Sequence, residues 1–157
     1  VSFSETGHLV LATMHANNTN QALERIVSFF PENGRARLYM NLSLNVHALI
    51  SQRLVRKADG SGRVAAVEIM VNTPLIRGLI RKGDIPAIRT AMGSHQTDGI
   101  QTFQDALFAL YESKAITLEE ALRNADSMND LRLQIKLQSK RTGINDLSAG
   151  TENLGIV

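Results

Sequence analysis

The sequence predicts an α/β fold, with strands confined to the first 71 residues and helices beyond them. Three observations carry that prediction. A short apolar run leads directly into an amphipathic helix, a glycine-rich turn joins two strand-like segments, and the periodicity past Pro74 is helical.

Each element follows in order. His8 to Met14 (HLVLATM) is rich in strand formers and is bounded by Gly7 and Asn17-Asn18, which predicts a buried strand. Thr19 to Phe30 places Ala22, Leu23, Ile26, Val27 and Phe30 at helical spacing, and Pro31 stops it. Residues 35–50 fit both periods. Leu38, Met40, Leu42, Leu44 and Val46 alternate as in a strand, whereas Leu38, Leu42, Val46 and Leu49 share a helix face. Ser51–Lys57 and Arg63–Val71 read as two strands of a hairpin, because Asp59-Gly60-Ser61-Gly62 supplies the positive-φ residues of a tight reversal. Helices are predicted over Pro74–Lys82, Pro86–Met92, Gln101–Glu112, Leu118–Ala125 and Asn129–Leu137, and Thr117-Leu118-Glu119-Glu120 fits a capping box. Residues 138–157 have no sustained period and read as a flexible tail.

Composition narrows the function classes. No apolar run approaches the roughly 18 residues of a membrane span, and the first residues lack the pattern of a signal peptide, so a cytoplasmic protein without direct membrane insertion is expected. With no cysteine, disulfides, thiolate metal sites and cysteine nucleophiles are all excluded. The chain begins with Val rather than Met, so its length is compatible with a fragment. Net charge is only +2, but it is unevenly placed: residues 53–82 hold seven basic against two acidic side chains, and residues 98–130 hold seven acids against two bases. Five Phe and two Tyr offer few stacking platforms, so nucleic acid is not an expected partner.

The residues that could carry chemistry are few. No G-x-x-x-x-G-K-[ST] loop occurs, so a triphosphate cannot be cradled by that route, and no cofactor-binding residue is identified. His8 and His15 lie seven apart, which on a regular strand puts them on opposite faces, so no metal site is assigned. His47 and His95 are isolated and receive no role. His15 ends the expected strand just before a helix N-terminus, a place where free N–H groups favour anions and where an imidazole could sense a terminal phosphate. From spacing alone, a histidine that ends a strand and is bonded to backbone is the preferred reading. Glu68, inside the apolar strand 63–71, must face solvent or meet a basic group; a structural ion pair is expected in preference to a catalytic acid. In Thr73–Lys82, Leu75, Ile76, Leu79 and Ile80 form an apolar strip beside Arg77 and Arg81, which periodicity alone assigns to core packing in preference to docking.

Several of these segments, in this order, resemble one family. Glu5-Thr6-Gly7-His8-Leu9-Val10-Leu11-Ala12-Thr13-Met14-His15 resembles the histidine box of the PilT/PilU-family type IV pilus retraction ATPases, within the secretion ATPase superfamily. Ser51-Gln52-Arg53-Leu54, Gly62 to Ile69 and Asn72 to Ile76 follow as in that family. Thr73–Lys82 resembles its AIRNLIRE motif, keeping Ile76, Arg77, Leu79, Ile80 and Arg81 but departing at Leu75, Gly78 and Lys82. The stretches His15–Ile26 and Arg123–Leu133 resemble PilU-like members more than PilT-like ones.

The resemblance implies the C-terminal part of a RecA-like P-loop ATPase domain, with an incomplete sheet, over residues 1–72. A helical C-terminal region over 73–137 and the tail 138–157 would follow, and residues 35–50 would be helical. It implies a hexameric motor for pilus retraction and twitching motility that uses ATP and Mg²⁺, lies at the inner-membrane face, and works with PilT-like subunits and an inner-membrane platform. His15 and His8 would act at the catalytic site, and Ile76, Arg77, Leu79, Ile80 and Arg81 would couple hydrolysis to movement. In the family the Walker A loop, aspartate box and Walker B segment precede the histidine box, so this chain alone is expected neither to bind a cofactor nor to hydrolyse ATP. The alternative is a stand-alone, nucleotide-silent interaction module for a motor subunit or pilus-base protein.

Overall fold

The computed structural model describes residues 2–94 and 99–141. The elements run α1 (Ser2–Glu5), α2 (Thr19–Ser28), α3 (Glu32–Asn45), β1 (Ala48–Arg56), β2 (Arg63–Val71), α4 (Pro74–Lys82), α5 (Ile85–Ser94), α6 (Phe103–Glu112), α7 (Leu118–Asn124) and α8 (Met128–Gln138). The fold is α/β, with β1 and β2 as a two-stranded sheet. No helix among the described residues is long and apolar enough to cross a membrane.

Two compact units divide the chain, one formed by 1–53 with 67–102 and the other by 54–66 with 103–157. This division differs from the partition at 72/73 drawn from sequence, because α4 and α5 contribute Ile76, Ile80, Ile85, Ile88 and Met92 to the same core as Leu23, Leu38 and Met70.

In the first unit, α2 buries Leu23 and Val27, and Asn18 caps it by accepting from the Gln21 N–H at 2.8 Å. The ambiguous 35–50 segment resolves into helix up to Asn45 and strand from Ala48. Leu38 and Leu42 are buried while the alternating Met40 and Leu44 are exposed, so the apparent two-residue period has no sheet behind it. Asn72 closes this turn of the chain: its Nδ2 donates to the carbonyls of Ser43 (2.9 Å) and Val46 (2.6 Å). The bond from the Asn72 N–H to the His47 carbonyl sets the local register, which puts Ser51 opposite Glu68, both inward-facing. Thr73 caps α4 at the Ile76 N–H with Pro74 at its first position, and Gly83 ends it at φ 75°.

Gly83 is required twice over. The left-handed φ disfavours any other residue, and an added Cβ would lie 3.0 Å from Cε2 of Tyr39. Gly83→Ala is therefore expected to destabilise the chain by about 1–2 kcal/mol, read as a lower urea midpoint at unchanged slope.

The expected buried strand at 8–14 does not form. The segment is neither helical nor paired as a strand among the described residues, and Leu9 and Leu11 are 81% and 89% exposed. Apolar residues make a buried strand only where a neighbouring strand and a covering layer exist, and the described sheet consists of β1 and β2.

In the second unit, the turn end of the hairpin and α6–α8 enclose Val55, Ala66, Phe103, Leu107, Ile116, Leu131 and Ile135. Asp59 stabilises the turn by accepting from the Ser61 N–H at 2.8 Å, a bond that holds its carboxyl below the usual range. Thr117 and Ser127 cap α7 and α8 through the N–H groups of Glu120 and Asp130. Of the stretch read as a tail from 138 onward, Gln138 closes α8, and residues 139–141 are bonded to α6. The Ser139 hydroxyl donates to Glu112, holding that carboxyl below its ordinary value. The Arg141 guanidinium donates to the Tyr111 carbonyl and lies 4.3 Å from the centre of its ring. Residues 142–157, like His95, lie outside the described residues.

Candidate functional site

The histidines and the loop that follows them belong to the first unit. The segment from His15 enters α2 through Asn17 and Asn18, and this short loop is held from three directions. Arg25, on α2, donates to the His15 carbonyl. Arg53, on the inward row of β1, donates through Nε (3.3 Å) and Nη2 (3.2 Å) to the Asn17 carbonyl. Glu68, 5% exposed on β2, accepts from both the backbone N–H (2.8 Å) and the hydroxyl (3.0 Å) of Thr19, the first residue of α2.

Glu68 therefore corrects the expected ion pair. Its carboxylate is satisfied at a helix N-terminus, where unpaired N–H donors and the positive end of the helix dipole favour negative charge. The arrangement also occupies three of the N–H donors at this helix start. The N–H groups of Asn17, Thr19 and Gln21 are bonded to Gln21 Oε1 (2.6 Å), Glu68 and Asn18, and a buried carboxylate already supplies the charge a phosphate would bring.

The predicted residues are not gathered into one constellation. The His15 imidazole is exposed, and only its carbonyl is tied down. His8, also exposed, lies with Nδ1 2.9 Å from the Thr6 hydroxyl and its ring edge-on to Phe3 at 6.3 Å. His47 is exposed and contributes its carbonyl to the hairpin root. On α4, Ile76 and Ile80 are each 1% exposed and Leu79 is half-buried, all three packed in the core. Arg77 and Arg81 are exposed, one helical turn apart.

The sequence has no phosphate-loop motif, no group of three or more His, Asp or Glu among the described residues could hold a metal ion, and Glu68 is committed to Thr19. Sequence reasoning missed Arg25, Arg53 and Thr19. Asn18, Gln21 and Arg25 repeat at helical spacing, and Arg53 falls on the inward row of β1 between Ser51 and Val55, where a cation must find acceptors. Those two patterns were available signals.

Comparison with known proteins agrees with the order of motifs. Residues 1–77 match the family model described as Type II/IV secretion system protein. The type IV pilus ATPase PilU of Pseudomonas aeruginosa is 50% identical over 99% of this chain, which spans 41% of that relative. The retraction ATPase PilT of the same organism is 38% identical over 78% of the chain and 35% of its own length. A crystal structure of the pilus retraction motor PilT with bound ADP superposes with a TM-score of 0.69 at 34% identity, covering 78% of this chain and 34% of that one. The Yersinia pseudotuberculosis ATPase DotB gives 0.67 at 28% identity, covering 78% of this chain and 32% of that one. The chain thus spans about two fifths or less of these proteins, and with 50% identity along nearly its whole length it belongs to the PilT/PilU family of type IV pilus ATPases.

Proposed function

We propose that this chain is a part of an ATP-driven motor of type IV pilus retraction that answers to nucleotide state but does not itself hold the nucleotide. The observation that carries the reading is the wiring of the loop behind His15. Arg25, Arg53 and Glu68 connect residues 15–19 to α2, β1 and β2, so a displacement of the His15 backbone is felt by three elements of one core. Packed elements with fixed hydrogen bonds transmit such shifts as rigid bodies. In the assembled motor, which the reading places in the cytoplasm at the inner-membrane face as a hexamer beside PilT-like subunits, the exposed His15 ring meets the terminal phosphate of ATP; His8 has a lesser part. ATP and Mg²⁺ are bound by segments other than those described here, and no chemical step is assigned to this chain's residues. Ile76 and Ile80 seat α4 in the core, and Arg77 and Arg81 face outward to pass the movement on.

Two measurements test this. The 157-residue chain alone is expected to show no ATP turnover above buffer; measurable turnover refutes the division of labour. In an intact pilus ATPase carrying this sequence together with a phosphate loop, His15→Ala is expected to lower ATP turnover by about tenfold to a hundredfold with folding preserved, the range of one lost charge-assisted hydrogen bond. Unchanged turnover and twitching would remove His15 from the mechanism. The competing interaction module without nucleotide response predicts unchanged turnover and a saturable protein partner instead.

A further inference from the structure

The second unit contains an open cleft of about 660 Å³ lined by Arg56, Arg63 and Arg123, together with Glu120 and the backbone of Gly60 and Gly62. Its chemistry is independent of the histidine segment.

The hairpin's own hydrogen bonding brings two of these cations face to face. The Lys57 N–H donates to the Gly62 carbonyl at 3.0 Å, and the register this defines puts Arg56 directly opposite Arg63. Theirs is a non-hydrogen-bonded pair, whose Cα atoms lie about 4.5 Å apart. Like charges placed directly opposite destabilise a sheet. Both side chains are exposed, and neither is paired with a carboxylate among the described residues. Arg123 reaches the same cleft from α7, where Glu120 lies 3.9 Å away, and the Glu120 carboxylate is also 3.4 Å from Asn124 Nδ2. At the turn, a Cβ added to Gly60 or Gly62 would meet nothing within 4 Å, so the approach along the backbone is open. Three guanidiniums against one carboxylate leave an excess of two positive charges around a concave site, in the fork geometry that suits phosphate oxygens.

We infer that this hairpin–α7 cleft binds a phosphate-bearing anion, either a free phosphorylated small molecule or the phosphate of a lipid headgroup. A bound phosphate relieves the repulsion between Arg56 and Arg63, so the strain in the unliganded hairpin becomes binding selectivity.

The test uses the full 157-residue chain titrated with sodium pyrophosphate in a calorimeter, against sodium chloride at matched ionic strength. In parallel, flotation is measured with phosphatidylglycerol–phosphatidylcholine vesicles and with phosphatidylcholine alone. The variants are Arg56→Lys with Arg63→Lys, which keeps the charge and removes the forks, and Arg123→Gln as an independent probe from the helix side. Saturable pyrophosphate binding, weakened about tenfold or more in both variants, is expected if the phosphate is free, with a rise in melting temperature for the native chain that the variants lose. Silence toward pyrophosphate together with flotation on the anionic vesicles only, lost in both variants, assigns the phosphate to a lipid. The proposal is overturned if neither probe binds saturably, or if the lysine pair binds as the native chain does, since the attraction would then be diffuse charge rather than a built site. Because these positions are exposed, melting curves of the variants without ligand are expected close to that of the native chain.

Discussion

Ile80→Ala will lower the stability of the chain by about 2–5 kcal/mol, a large share of the roughly 5–15 kcal/mol available to a small protein. The residue is 1% exposed and packs in the core with Leu38, Ile76, Ile85 and Ile88. Truncation removes three carbons from a close-packed site whose neighbours are held by two capped helix ends, Thr73 and Gly83, so the cavity cannot easily collapse. Urea denaturation gives the loss directly. Arg77→Ala and Arg81→Ala, on the exposed face of the same helix, should each change stability by no more than about 0.5 kcal/mol. This contrast separates two contributions that one motif combines. A retraction defect in an intact motor caused by the isoleucines would come through folding, whereas one caused by the arginines would come through transmission. A loss below about 1 kcal/mol for Ile80→Ala would mean that the core around α4 is slack, and the transmission proposal would lose its rigid seat.

Glu68→Ala carries the second large effect, about 2–3 kcal/mol. It leaves the buried Thr19 N–H without its acceptor and the Thr19 hydroxyl with only the weakly accepting Met92 Sδ at 3.7 Å, and it removes a negative charge from the N-terminal end of α2. Glu68→Gln retains an acceptor oxygen at the same place, so its loss should be about 1 kcal/mol. Thermal melts of the three proteins at one pH provide the comparison. If the glutamine variant falls as far as the alanine variant, the carboxylate acts through its charge. If both melt with the native chain, Glu68 does not fasten α2.

Much of the architecture was legible because it is local. The hairpin turn is written in Asp59-Gly60-Ser61-Gly62, and α4 is bracketed by Thr73-Pro74 and Gly83, so both of their ends follow from residues within three or four positions. The misreadings are all non-local. His8–Met14 has the composition of a buried strand, but burial needs partners that composition does not supply. The alternation of Leu38, Met40, Leu42 and Leu44 reflects two residues facing the core and two facing water on one helix. At the site, Glu68 was recognised as needing a partner, yet nothing in its neighbourhood names Thr19, which lies 49 positions away. The partners of Arg25 and Arg53 are not legible in sequence, because a cation that grips a backbone carbonyl has no complementary residue type.

That last contact has a further meaning for position 15. Arg25 holds a main-chain oxygen, and every amino acid has that oxygen. The path of the chain into α2 is therefore insulated from the identity of the side chain at 15, which is free to be exchanged without redrawing the loop. Position 15 is thus a socket: the ring can be replaced by asparagine, glutamine or an unnatural imidazole analogue, and in the proposed motor a change in output would then report on the ring rather than on the loop.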